Sequence, residues 1–231
     1  GAPRRTGVEV EFSGLDVDET CKVLTGVLGG EISGEEPFLR DVSGTEIGGI
    51  KVELDTPARE AGSVEIVRKG LDVAAAVVPV EVITEPLEMA QLRRFNEVIP
   101  ALQRAGASGT RAGVFLGFGV HLNPEVVAPS HPHTLKTIVA FGLLEDYLRK
   151  AEHLDMTRRA LPFVKPWPDP FVTELLEADL TEIGDLFPIA KRHIDTRNHG
   201  LDLLPLLRHI DENRYAQAFP GVKSGARPTF H

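Results

Sequence analysis

Six carboxylates recur at spacings of two or four in short segments rich in β-branched residues. In "GVEVEF", residues 7–12, Glu9 and Glu11 alternate with Val8, Val10 and Phe12. Successive side chains of a strand point to opposite faces, so the two acids share one face and the apolar residues the other. "KVELD" repeats the pattern, with Val52 and Leu54 set against Lys51, Glu53 and Asp55. "VEVITEP" puts Glu81, Ile83 and Glu85 together, and "FGVHLN" sets Gly119, His121 and Asn123 against Val120 and Leu122. Neighbouring strands lie about 4.8 Å apart, so carboxylates gathered on one sheet face crowd and repel. Lys51 is the one Lys or Arg at these outward positions. A divalent cation offsets such repulsion, and carboxylate oxygens with one imidazole suit Mg²⁺ or Mn²⁺. A solvated sheet surface is the alternative. Gly117 and Gly119 share the face of His121 and leave room above it; a bulge or bend uses the same glycines.

These strands need elements to hold them. "GLDVDETCKVLTGVLGG" reads as a helix with Asp16 as N-cap, a stripe of Val17, Cys21, Leu24 and Leu28, and Gly29 and Gly30 at its end. Residues 58–78 read as mostly helical. "LEMAQLRRFNEVIPALQRAGA" reads as one helix kinked at Pro100 and closed by Gly106. "AGVFLGFGVHLNPE" reads as a long strand, and "HTLKTIVAFGLLEDYLRKAEHL" as a strong helix. From Leu161 the chain is proline-rich, with shorter helices expected at about 172–191 and 201–212 and strand character in "RPTF". Alternating strands and helices allow parallel βαβ units. Polar alternation within the strands instead favours an α+β fold: a largely antiparallel sheet, helices on one face and a polar face opposite. With neither repeat nor low-complexity linker, residues 1–231 read as a single domain.

Composition narrows the function. Apolar residues make up 42% of the 231 and charged residues 26%, as in a globular protein. A net charge of -9 argues against nucleic-acid and anionic-membrane partners. The single cysteine, Cys21, sits at helical spacing among apolar residues and reads as core. One cysteine and no apolar leader in "GAPRR" point to a cytoplasmic protein. "VAAAVVPVEVI" is too short to span a bilayer. Neither a His-Glu-x-x-His zinc motif nor a P-loop occurs. His131 and His133 in "SHPHT" read as surface-loop residues, and Trp167, framed by prolines, as packing.

"GVEVEF", "ELDTP", "EVITEPL", "GVHLNPE" and "RNHGLDLLPLLRHID…RPTF" together resemble the amidoligase family, within the carboxylate–amine ligase superfamily of glutamine synthetase and γ-glutamylcysteine synthetase. The resemblance spans nearly the whole chain. It implies a glutamine-synthetase-like fold, a sheet curved into a funnel whose concave acidic face holds ATP and Mg²⁺. On that resemblance Glu9, Glu11, Glu85 and His121 stand at metal-binding positions, with Asp55 as a further ligand and His121 also beside the nucleotide. Many members carry His-x-His where this chain has His121-Leu122-Asn123, so an amide oxygen stands in for the second imidazole. The resemblance also implies a phosphate-contacting arginine beyond the terminal strand, past His231.

The expected activity is ATP-dependent amide-bond formation through an acyl phosphate. Lys191, Arg192 and Arg197, a basic cluster in "AKRHIDTRNHG", are candidates to screen the phosphates and the transferring group. Glu53 or Glu81 is the candidate base for the incoming ammonium. The substrates are small-molecule or peptide carboxylates and amines, with a glutamine-amidotransferase-type partner as a further expectation. Two rivals stay open: a catalytically degenerate nucleotide- or metal-binding regulatory domain, and a metal-dependent hydrolase that needs no ATP.

Overall fold

A computed structural model describes residues 2–36, 38–54, 79–108, 119–151 and 165–231. The chain forms two compact units, 1–123 and 124–231, each with its own hydrophobic core. A single family of strands and helices builds the first, and helices dominate the second.

In the first unit the described strands are β1 (Thr6–Phe12), β2 (Glu31–Ser33), β3 (Leu39–Thr45), β4 (Gly48–Leu54), β5 (Val80–Thr84) and β6 (Val120–Pro124), which ends at the unit boundary. They form one sheet in the order β2-β3-β4-β5-β1-β6. The pairings β2–β3, β3–β4, β4–β5 and β1–β5 are all antiparallel. Alternation along each strand sends Val8, Val10 and Phe12, Ile50, Val52 and Leu54, and Val80 and Val82 into the core. Three helices supply the other side of that core: α1 (Val17–Leu28), α2 (Met89–Phe95) and α3 (Val98–Ala105). An antiparallel sheet covered by helices on its apolar face matches the α+β expectation at this level.

The sequence of α1 accounts for its limits. Glu19 donates its backbone N–H to Asp16 Oδ1 at 2.7 Å, and Asp16 donates its own to Glu19 Oε2 at 3.0 Å, a reciprocal cap on two orphan donors. Val17, Cys21, Leu24 and Leu28 are buried, and Gly29 takes φ 69° past the last turn. Cys21 is core, as its spacing implies, and burial pushes its thiol up to about 11. Asp16→Ala is expected to lower the stability of this unit by about 1 kcal/mol, read as a shift in the urea midpoint; an unchanged midpoint would contradict the cap.

Two local expectations are corrected. The single kinked helix is two helices, broken at Asn96 and Glu97. Pro100 lies in the first turn of α3, where its missing N–H has no intrahelical partner to lose, so the chain restarts there instead of bending. The strands β2 and β3 have no counterpart in the sequence reading. β3 joins β4 through a two-residue turn, Glu46 and Ile47, with Thr45 opposite Gly48 and Gly48 at φ 103°. The 58–78 helix, Asp55, Gly117 and the first part of the long strand at 112–118 lie outside the described residues.

The second unit holds α4 (Pro132–Ala151), α5 (Asp169–Glu177), a 3₁₀ turn (Ile183–Asp185), α6 (Leu186–His193), α7 (Leu204–Ile210) and α8 (Glu212–Ala218). The expected helices at 172–191 and 201–212 are each divided. Asp211 ends α7 and caps α8, accepting the Arg214 N–H at 2.9 Å. Phe171, Leu186, Leu204 and Leu207 fill the core. Trp167 is buried, with its indole N–H on the Leu201 carbonyl at 2.9 Å and Phe141 and Phe171 edge-on. The "RPTF" tail makes an isolated antiparallel bridge, Thr229 to Glu125. Among the described residues no helix is long and apolar enough to cross a membrane.

Candidate functional site

Register decides which acids meet. Glu11 lies opposite Glu81 in the β1–β5 pair, and Glu81 lies opposite Glu53 in the β4–β5 pair. Directly opposed residues of an antiparallel pair project to the same face with Cβ atoms about 5 Å apart. Three carboxylates from three adjacent strands therefore form one row, Glu11–Glu81–Glu53. The next row along is Glu9, Ile83, Lys51 and Asp41. The face is thus mixed, with Ile83 and Lys51 interleaved among acids.

Several of these side chains are engaged. Lys51 Nζ contacts Glu53 Oε2 at 2.8 Å. Glu9, only 8% exposed, accepts from Asn123 Nδ2 at 3.1 Å and lies 3.5 Å from His121 Nδ1. Asn123 is buried, so its amide serves as a donor to Glu9 in this arrangement. The second edge strand, β6, brings both residues to β1, where the Gly119 carbonyl accepts the Glu11 N–H at 3.0 Å. Gly119 lies against the His121 ring, where a Cβ would make only an ordinary contact, 3.8 Å from Nε2.

The hydrogen bond to Glu9 raises the His121 pKa above its ordinary 6.5, desolvation opposes this, and the charges of Glu11, Glu9 and Glu81 add to the rise. The sign for stability follows. His121 contributes fully below its unfolded value near 6.5, and the contribution is lost as pH rises through the elevated folded value. A proton NMR titration of the His121 ring is expected to give a midpoint above 6.5; one below it would contradict the Glu9 contact.

Not every sequence candidate joins the row. Glu85 follows β5, is exposed, and accepts the Gly49 N–H at 3.1 Å. It sits four residues from Glu81, about 13 Å along an extended chain. The absence of side chains at Gly48 and Gly49 makes its room, since a Cβ at Gly48 would lie 2.8 Å from Glu85 Oε2. Arg197, Lys191 and Arg192 belong to the second unit. Arg197 Nε donates to the buried Asp202 at 2.8 Å, and Arg192 pairs with Glu174, which also meets His193 at 2.7 Å. These contacts, Arg192 first, hold the Glu174 carboxyl below its usual range. Lys191 is exposed on α6. His133 donates its N–H to the His131 ring at 3.2 Å just before α4.

Carboxylates are the right donor chemistry for a hard divalent cation. As the side chains stand, however, no three His, Cys, Asp or Glu residues converge to hold one among the described residues. The sequence places Lys51 on this face but does not show that it pairs with Glu53. The signal for that pair was the position of Lys51 as the lone basic side chain of that face.

A family model described as "Putative amidoligase enzyme" matches residues 2–231. No curated protein and no solved structure matches the chain.

Proposed function

Because the chain belongs to the amidoligase family, we propose that it is an ATP-dependent ligase joining a carboxylate to an amine through an acyl phosphate, with Mg²⁺ accompanying the nucleotide. One observation carries the site assignment: the Glu11–Glu81–Glu53 row on the sheet face opposite the helices. The side chains do not form a metal cage as they stand among the described residues.

The chain's own groups suit the amine half of the reaction. An amine arrives as an ammonium at neutral pH and must lose a proton before it attacks. The acidic row attracts the cation and holds it by charge. Glu53 is already bound to Lys51. Glu81, flanked by Glu11 and Glu53, is the better-placed acceptor for that proton. His121 lies beside Glu9 at the other edge of the same face, where that contact favours its protonated form. Small-molecule or peptide carboxylates and amines fit this chemistry, and a glutamine-amidotransferase-type partner would deliver the amine as ammonia.

Among the described residues no three metal-donor side chains cluster, which favours one rival, a regulatory domain that binds nucleotide without turnover. Coupled release of ADP and phosphate separates the two. The ligase releases both only when a carboxylate and an amine are present together. Tight ATP binding with no release across a panel of amines supports the regulatory reading instead.

A further inference from the structure

Helix α4 carries apolar side chains that the described residues of its own unit leave exposed. Leu143 is 61% exposed and Tyr147 69%, with Leu144 and Leu148 beside them and Leu176 on α5. Leu135, Val139, Leu143 and Tyr147 recur every four residues and form one ridge along α4. Between that ridge and the end of α5 lies a groove of about 420 Å³, walled by Leu135, Val139, Leu143, Leu175, Leu176 and Leu180. Scattered exposed leucines are ordinary, but a continuous ridge beside an apolar groove marks a contact surface.

Two opposite charges on the groove make the patch complementary to itself. Lys136 stands on the α4 side and Asp179 just past α5, both exposed, and neither forms an ion pair with another described residue. A two-fold axis brings the same patch of two molecules together, so Lys136 of each copy meets Asp179 of the other. A ridge of residues four apart also packs against its own copy, at a crossing angle of about 50°. We propose that the α4–α5 face is the interface of a homodimer, with the Leu143–Tyr147 ridge of each molecule in the groove of the other and two Lys136–Asp179 pairs closing the rim.

Sedimentation equilibrium of the full chain at about 100 μM tests this, a concentration that populates even interfaces of micromolar strength. The native chain is expected at twice its monomer mass. Leu143→Glu places a charge in the apolar seam and is expected to give a monomer with unchanged circular dichroism. Lys136→Asp and Asp179→Lys singly set like charges together and are expected to weaken dimerisation at least tenfold. The double variant restores opposite pairs and is expected to regain most of that loss. A monomeric native chain, a larger open assembly, or a dimer indifferent to both Leu143→Glu and the charge reversals overturns the assignment.

Discussion

Glu11→Gln is expected to lower turnover at least about a hundredfold, the usual effect of deleting one preorganised charged group at a reacting centre. Glu11 ends the row that Glu81 and Glu53 complete, and its backbone N–H is fixed by the Gly119 carbonyl. The amide preserves shape and packing but removes the charge. Stability should therefore change little, because the substitution lies on the sheet face away from the Val8, Val10 and Phe12 core. The loss should fall on kcat/KM for the amine more than on the urea midpoint. Full turnover by this variant would remove Glu11 from the reaction and the row with it.

Leu186→Ala is expected to destabilise the second unit by about 2–5 kcal/mol. Leu186 opens α6 and is fully buried among Phe171, Leu175 and Leu204. Truncation removes its transfer energy and leaves a cavity that a close-packed helical core relaxes into only partly. With total stability of about 5–15 kcal/mol, that is a large share of what holds the unit together. The only tryptophan, Trp167, is buried in the same core and reports unfolding by its emission. A urea midpoint lowered by about 1–2 M is the expected reading. Lys191→Ala, on the exposed side of the same helix, should stay within about 0.5 kcal/mol. Similar midpoints for both would mean that Leu186 is not the core residue described.

Alternation within a strand is a local property, and it was legible: the Val-Glu-Val-Glu pattern assigned both faces of β1, β4 and β5. Register is not local. Nothing in "GVEVEF" or "VEVIT" says that Glu11 meets Glu81 while Glu9 meets Ile83. The pairing depends on strands brought together from some seventy residues apart, so the membership of the row had to come from the fold. Glu85 shows the cost of reading parity alone. It has the right parity, yet two residues of extra chain and two glycines on β4 draw its carboxylate to the Gly49 N–H. The edge strand β2 was missed because Glu31, Ile32 and Ser33 are all exposed and carry no apolar period, and β3 because Val42 is its one buried residue. In the second unit the apolar spacing revealed helices, but not that Asp211 would end one and begin the next.

The central claim is that the Glu11–Glu81–Glu53 row is where the nucleotide-dependent ligation takes place. A crystal structure of the full chain grown with Mn²⁺ and a non-hydrolysable ATP analogue tests it most directly. Nucleotide density against that sheet face, with Mn²⁺ accompanying its phosphates, is the expected result. Nucleotide bound away from this sheet face, with the row unchanged from the contacts described above, would contradict it.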